Sequence, residues 1–318
     1  MTTLAIEARE LVLDFGPVRA LDHLSFDVPA GIVFGFLGPN GAGKTTAIRT
    51  FLGLVDPTSG SARVFGFDTR REGDRVRERA GALLEHHGLY ERLTAEQNLD
   101  FAGRIWRMPP GERRPRIREL LDQFGLWDRR KDAVGKWSRG MKQKLAVARA
   151  VFHRPPLVFL DEPTAGLDPV ASAALREDLA SLATGQGVTI FLTTHNLVEA
   201  ERLCDLVGVI RKGQLAALGA PSALRPHDSG VLRVTGTGID EAIAHAAGNL
   251  PGVLESAAVD GALEVKLADG VKAAELVALL VQSGVGIDEV RRERQTLEEA
   301  FLELVSDDAQ TPPPGKPR

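Results

Sequence analysis

The chain has 318 residues, 43% hydrophobic and 26% charged, with a formal net charge of −4 at pH 7. This size suits one large domain plus a smaller one, and the slightly acidic balance gives no overall reason to expect a nucleic-acid partner. The lone Cys204 excludes a disulfide within the chain and fits a reducing compartment. We expect neither a secretion signal nor a membrane-spanning helix, because no uncharged apolar run approaches bilayer length. The protein is therefore expected to be soluble, with any membrane role supplied by a partner.

Apolar alternation predicts strands between Ile6 and Val28, and Ile32–Leu37 reads as a short buried strand. The residues that follow fit the G-x-x-x-x-G-K-[ST] spacing of a phosphate-binding loop. They are Gly38, Pro39, Asn40, Gly41, Ala42, Gly43, Lys44, Thr45 and Thr46. Glycines let backbone N–H groups turn toward phosphate oxygens, Lys44 adds positive charge for the β- and γ-phosphates, and the Thr45 hydroxyl can bind Mg²⁺. A helix starting here would point its N-terminus at the anion, so this stretch predicts nucleotide binding.

A long helical insertion follows. Ala80–Leu84 predicts a short strand ending at Glu85, and residues 94–137 show a helical pattern that begins with a capping box at Thr94. Ser138 is a favoured N-cap type for the next helix, and capping alone would explain it. The arginine clusters near 70–79 and 113–118 are interleaved with acidic residues, which is typical of solvent-exposed helix faces.

Two further buried strands carry candidate catalytic residues at their carboxyl ends. Leu157–Glu162 ends in two carboxylates; since adjacent residues of a strand point to opposite faces, Asp161 and Glu162 are expected to do different jobs. Asp161 can hold Mg²⁺ with Thr45 or water, and Glu162 can polarise an attacking water. The alternative is an ordinary solvent-exposed strand end. His195 follows the third strand, and ligands of open parallel sheets bind at this edge.

Together these residues resemble the ATP-binding subunit of ABC transporters over Leu4–Ala220. Gly38–Thr45 matches the Walker A motif, Leu157–Glu162 matches Walker B with the catalytic glutamate, and His195 matches the switch histidine. The D-loop matches Gly166–Asp168. The signature position is occupied by Ser138, Arg139, Gly140 and Met141 after Trp137, where the family usually has Leu-Ser-Gly-Gly-Gln.

The resemblance implies further nucleotide contacts. Phe15 falls at the aromatic position that stacks on adenine, with Val18 beside it, and Asp168 belongs to the contact set. Glu85 stands where the family has its Q-loop glutamine, and its carboxylate is expected to contact Mg²⁺ alongside Thr45 and Asp161. Lys44, Glu162 and His195 are the expected catalytic residues. Trp137, Arg139 and Met141 depart from the usual signature. These replacements resemble those found in the branch of the family that exports drugs, antibiotics and polysaccharides.

The implied fold is an α/β P-loop ABC ATPase domain over residues 1–222, with a mostly parallel sheet, an antiparallel β subdomain and a helical subdomain at about 88–150. The implied function is ATP hydrolysis powering an exporter. Two copies would pair head to tail around ATP and Mg²⁺, with Ser138 and Gly140 completing the partner copy's γ-phosphate site. A separate membrane-spanning permease would meet Gly88–Trp106, which places the protein at the cytoplasmic face of the cell membrane.

The C-terminal third predicts a second domain. After a linker near 219–230, the pattern β-α-β-β-α-β from Val231 to Arg292 is the ferredoxin-like order. We expect a small α+β accessory domain at 228–306, regulatory or dimerising, that closes with a helix from Thr296. The branch resemblance extends to Leu297–Phe301, and residues 307–318 are a Pro-rich tail expected to be disordered.

Two other functions fit a domain of this type. One is a soluble ABC ATPase acting on ribosomes or DNA, although the single Walker A motif and the absence of a long heptad array in the sequence favour the transporter. The other is a cytosolic drug-sequestering protein that transports nothing, which drug binding without a membrane partner would favour.

Overall fold

The structure is a computed structural model that describes residues 3–224, 231–268, 271 and 273–292. It consists of two compact units that divide between Ser222 and Ala223. None of the helices within these described ranges is both long and apolar enough to cross a bilayer.

The first unit alternates strands and helices from Leu4 onward. Its described strands are β1 (Leu4–Phe15), β2 (Val18–Pro29), β3 (Val33–Leu37), β4 (Ser59–Val64), β5 (Phe67–Asp68), β6 (Ala80–Leu83), β7 (Leu157–Asp161), β8 (Thr189–Thr194), β9 (Leu206–Arg211) and β10 (Gln214–Gly219). Its described helices are α1 (Lys44–Phe51), α2 (Gly73–Glu78), α3 (Ala95–Ile105), α4 (Pro110–Gln123), α5 (Arg139–Ala150), α6 (Pro169–Gln186) and α7 (Leu197–Leu203).

A mostly parallel sheet positions the site. Its strand order within the described residues is β10-β9-β3-β8-β7-β6, and β10 is the antiparallel edge strand. Every residue of β3, β7 and β8 is buried, which explains why these strands read as continuous apolar runs. Because these three strands are parallel neighbours, their carboxyl ends meet at one edge.

An antiparallel sheet with the order β2-β1-β4-β5 covers one side of this core. Aromatic rings fill the space between the two layers: Phe26 of β2 stacks on Phe34 of β3 with ring centroids 5.5 Å apart, and Phe34 contacts Phe191 of β8 at 5.1 Å. This apolar packing fixes the parallel strands beneath the phosphate-binding loop.

The helical insertion forms as its sequence pattern predicts. The Thr94 capping box is confirmed, because Gln97 N–H donates to Thr94 Oγ1 at 3.2 Å and Thr94 N–H donates to Gln97 Oε1 at 2.9 Å. The insertion is divided into separate helices, and α4 begins at Pro110, where a missing backbone N–H costs least.

The second unit contains β11 (Val231–Thr237), α8 (Glu241–Gly248), β12 (Val253–Val259), β13 (Ala262–Leu267), α9 (Ala274–Gln282) and β14 (Gly286–Arg292). The predicted β-α-β-β-α-β order is confirmed, and the strands form an antiparallel sheet in the order β12-β13-β11-β14 around a core of their own. The helix predicted from Thr296, the similarity at Leu297–Phe301 and the tail at 307–318 lie outside the described residues.

Candidate functional site

The phosphate-binding loop joins β3 to α1 and depends on its glycines. Gly43 has a φ of +107°, and a Cβ there would come within 2.5 Å of the Ala20 carbonyl oxygen. A Cβ on Gly38 would collide with the carbonyl oxygen of Ile210. Only glycine fits these two positions, which lets the loop turn tightly into the N-terminus of α1.

Lys44 is the first residue of α1, and its ammonium group lies inside the site, only 6% exposed. It donates to the carbonyl oxygens of Gly38 at 2.6 Å and Pro39 at 3.2 Å, and it lies 3.4 Å from Glu162 Oε1. These contacts hold a buried cation at the mouth of the loop, where an anionic ligand would compete with Glu162 for it.

Asp161 ends β7 and is held from both sides. Thr45 Oγ1 donates to its Oδ2 at 2.6 Å, and Thr193 Oγ1 of β8 donates to its Oδ1 at 2.5 Å. The carboxylate is nearly buried, so these hydroxyls supply the partners that water would otherwise provide.

Glu162 departs from strand geometry, and this corrects the expectation that Asp161 and Glu162 point to opposite faces. Glu162 has a φ of +48°, so the strand alternation ends at Asp161 and both carboxylates line the same cavity. The left-handed conformation is supported because the Glu162 N–H donates to Thr193 O at 3.1 Å and Thr193 Oγ1 at 3.0 Å. The two carboxylates still have different partners, since Oε2 of Glu162 lies 2.9 Å from Nδ1 of His195.

A cavity of about 500 Å³ opens over these residues. The predicted site residues that line it are Val18, Asn40, Gly41, Gly43, Lys44, Thr45, Thr46, Glu85, Arg139, Asp161 and Glu162. Phe15 is half exposed and pairs with Val18 across the β1–β2 turn, but only Val18 belongs to the lining. Glu85 lies 3.6 Å from Arg49 and presents an exposed carboxylate to the cavity.

Only one of the signature residues lines the cavity of its own chain. Arg139 lines the cavity of its own chain, and its guanidinium packs against Gly166. Ser138 caps α5, accepting from the Met141 N–H at 3.3 Å, and together with Gly140 and Met141 it lies outside the cavity lining.

Asp168 also has a local role in this structure. It is the N-cap of α6, and its Oδ1 accepts from the Ala171 N–H at 2.9 Å. Its carboxylate therefore stabilises the start of α6 next to the Gly166 turn.

Thr193 and Gln143 are among the site residues that the sequence analysis missed. Thr193 touches both Asp161 and Glu162, and Gln143 lines the cavity beside Arg139. A hydroxyl two residues before His195 is a weak local signal. Gln143 lies one helical turn after Arg139, so helical periodicity could have found it.

The oxygen donors in this cavity fit a hard divalent cation. A hydroxyl and a carboxylate, from Thr45 and Asp161, meet at 2.6 Å, and Glu85 lines the same space. No cluster of three metal-binding His, Cys, Asp or Glu side chains occurs in the described part of the chain. This donor set suits Mg²⁺, which is usually held by one or two carboxylates together with substrate phosphates.

The arrangement is suited to phosphoryl transfer to water. Backbone N–H groups and Lys44 can neutralise phosphate charge, and Glu162 lies between Lys44 and His195, where it can orient a water.

Comparison with known proteins gives matches to one family. Residues 21–165 match the family described as ABC transporter. The chain is 37% identical over 303 residues to the daunorubicin resistance ATP-binding protein DrrA3 of Streptomyces coeruleorubidus, covering 92% of this chain and 93% of that one. It is 42% identical over 215 residues to the bacitracin transport ATP-binding protein BcrA of Bacillus licheniformis, covering 68% of this chain and 69% of the relative. Among solved structures, cbiO1 of Clostridium perfringens, part of the ABC transporter complex cbiONQ, aligns with a TM-score of 0.66 at 27% identity, over 70% of this chain and 90% of that chain.

Proposed function

This chain belongs to the ABC transporter family as an ATP-binding protein, and on that premise we propose that it powers an exporter through a separate membrane-spanning partner. It is an ATPase, as the family is. The observation that carries the proposal is the meeting of Lys44, Asp161, Glu162 and His195 at one edge of the parallel sheet. We place the ATPase domain at residues 1–222 and an accessory domain at 228–306.

We propose roles in hydrolysis for the main predicted site residues. The phosphate-binding loop and Lys44 bind the phosphates, and Thr45, Asp161 and Glu85 would hold Mg²⁺, which would neutralise developing charge. Glu162 accepts the proton of the attacking water, and His195 keeps the Glu162 carboxylate oriented at 2.9 Å. Phe15 and Val18 form the edge on which the adenine rests.

We propose that ATP is enclosed between two copies arranged head to tail. Ser138, Gly140 and Met141 lie outside their own chain's cavity at the start of α5, where Ser138 is exposed and the other two are half-buried. Their backbone N–H groups and the helix N-terminus can approach a γ-phosphate bound by a second copy. Hydrolysis removes that phosphate and weakens the pairing, which gives a two-state device.

The membrane partner is proposed to dock beside α3. An apolar groove of about 320 Å³ lies here, lined by Leu54, Ile105 and Trp106 among others. Phe101 and Ile105, one turn apart on α3, are both exposed, and Tyr90 packs edge-on against Phe101 with ring centroids 4.9 Å apart. Such a patch of large apolar side chains is typical of an interaction site. On this proposal the protein works at the cytoplasmic face of the cell membrane.

The proposed cargo class is antibiotics or related drugs. Its support is the similarity to a daunorubicin resistance protein over 92% of this chain and to a bacitracin transport protein over 68% of it. The cargo itself would be chosen by the membrane partner.

The test is recovery of the tagged Glu162→Gln protein from its native host with ATP present. We expect it in the membrane fraction with a multi-spanning protein, because blocked hydrolysis keeps the ATP-bound pair together. In the same background, Ile105→Glu should abolish that recovery while leaving ATP binding unchanged.

The matched control is Val281→Glu in the second unit, since Val281 is 60% exposed and Ile105 is 62% exposed. The control should co-purify normally. Recovery of Glu162→Gln with ribosomes, or alone with a bound drug, would contradict the transporter function.

A further inference from the structure

Glu199 is a buried carboxylate next to the site. It lies in the first turn of α7 with none of its surface exposed. Its Oε2 accepts from Thr194 Oγ1 at 2.7 Å and from Thr164 Oγ1 at 2.9 Å. Its Oε1 has no hydrogen-bond partner among the described residues. An apolar side chain of similar volume would avoid much of the desolvation cost, so packing alone does not require a carboxylate here.

The two threonines flank the proposed catalytic residues. Thr194 directly precedes His195, and Thr164 lies two residues after Glu162. One carboxylate oxygen therefore joins the two segments whose side chains meet at 2.9 Å between Glu162 and His195.

Hydrogen bonds at the start of α7 add to the same network. Asn196 Oδ1 accepts from the Glu199 N–H at 3.1 Å, and the Asn196 N–H donates to Thr194 Oγ1 at 3.0 Å. The residues on both sides of His195 are thus bonded to each other and to Glu199. Such a connected network fixes backbone position more firmly than separate bonds do.

We propose that Glu199 is a positioning residue for ATP hydrolysis, which holds His195 and Glu162 in register through Thr194 and Thr164. It does not line the nucleotide cavity and acts only through its neighbours. The inference rests on the proposed roles of Glu162 and His195. The rate of hydrolysis depends on the placement of the reacting groups to within about 1 Å. Loss of the hydrogen bonds from Thr164 and Thr194 to Glu199 therefore slows the chemical step and leaves nucleotide binding unchanged.

The experiment uses full-length Thr164→Val, Thr194→Val and Glu199→Gln, with single-turnover ATP hydrolysis at excess protein and affinity for a fluorescent ATP analogue. We expect each valine variant to hydrolyse ATP about tenfold more slowly, with affinity within about twofold of the wild type. Glu199→Gln should lose less, because an amide oxygen still accepts from both hydroxyls but more weakly than a carboxylate does.

Thr189→Val is the matched control. Thr189 is buried in the same strand, at the end remote from His195, and its hydroxyl accepts from the Gly31 N–H at 2.9 Å. This variant should lose similar thermal stability and keep its hydrolysis rate. If Thr164→Val and Thr194→Val hydrolyse ATP no more slowly than Thr189→Val, the positioning role is overturned.

Glu162→Gln is measured in parallel to separate the two proposals. A slow Glu162→Gln with unimpaired threonine variants would overturn the role of Glu199 alone. An unimpaired Glu162→Gln would overturn the proposed catalytic site, and the role of Glu199 with it.

Discussion

The charge of Lys44 is shared between the carbonyl oxygens of Gly38 and Pro39 and the carboxylate of Glu162. ATP phosphates would compete with Glu162 for this ammonium group, which would free the Glu162 carboxylate to act on water. Nucleotide binding would therefore be coupled to release of the Glu162 carboxylate from Lys44.

This leads to a prediction that separates the two residues. Glu162→Gln should keep ATP affinity and slow hydrolysis by ~100-fold or more, because an amide is a far poorer proton acceptor. Lys44→Ala should weaken ATP binding itself. Equilibrium binding of a fluorescent ATP analogue and phosphate release measure both effects. Normal turnover by Glu162→Gln would mean that another group activates the water.

The role of a single residue was predictable only where the spacing of its neighbours in the sequence indicates that role. The loop spacing and the strand-terminal position identified Lys44 and Asp161 as candidates. Thr193 was not predictable, because its bond to Asp161 joins residues 32 positions apart. The left-handed turn at Glu162 also had no local signal, since it depends on hydrogen bonds that the Glu162 N–H donates to Thr193.

An aromatic stack joins the end of α3 to the residues that follow α5, beside β6. His153, just after α5, stacks on Trp106 at the end of α3 with ring centroids 3.7 Å apart, and both residues line the groove that also contacts Ala80 of β6. Burial in this apolar contact lowers the pKa of His153 from 6.5 to about 4.

This packing predicts a pH dependence of stability. The folded state keeps His153 neutral, whereas the unfolded chain takes up a proton below pH 6.5, so stability is fully present above pH 6.5 and is lost as pH falls toward 4. Between pH 7 and pH 5 we expect His153 to account for a loss of about 1–2 kcal/mol. Urea unfolding followed by tryptophan fluorescence measures it, since all three tryptophans of the chain lie in the first unit.

His153→Gln is the comparison, because glutamine does not titrate. Its stability should change less between pH 7 and pH 5 than that of the wild type. Parallel pH profiles for the two proteins would contradict the assigned role of His153.

The helices and strands of this chain were more predictable from the sequence than the roles of its single residues. The buried strands, the capped α3 and the second unit's strand and helix order follow from period and capping signals that act within a few residues. The sequence pattern predicted strands between Ile6 and Val28, and the two strands run slightly further, from Leu4 to Phe15 and from Val18 to Pro29. Their pairing contains register shifts that interrupt simple alternation.

At the scale of the whole molecule, the proposed dimer would complete the ATP site. The full-length Glu162→Gln protein should sediment as a dimer with ATP and as a smaller species with ADP, because only ATP supplies the γ-phosphate that reaches α5 of the second copy. Analytical ultracentrifugation distinguishes the two states.

Ser138→Glu should prevent this dimer, since it would place a carboxylate against the γ-phosphate in the head-to-tail arrangement. Sedimentation that is the same with ATP, with ADP and with no nucleotide would contradict an ATP-enclosing pair.

Local patterns in the sequence were sufficient to predict a nucleotide site, namely a phosphate-binding loop, strand-terminal carboxylates and a strand-terminal histidine. The resemblance to the ATP-binding subunit of ABC transporters needed two further motifs, the signature at Ser138–Met141 and the D-loop at Gly166–Asp168. How these groups meet follows only from the fold. It brought Asp161 and Glu162 into one cavity, placed Arg139 beside it and bonded Glu199 to Thr164 and Thr194. The reason is physical: these contacts join residues from different elements of the fold, and no local period specifies which side chains will share a hydrogen bond.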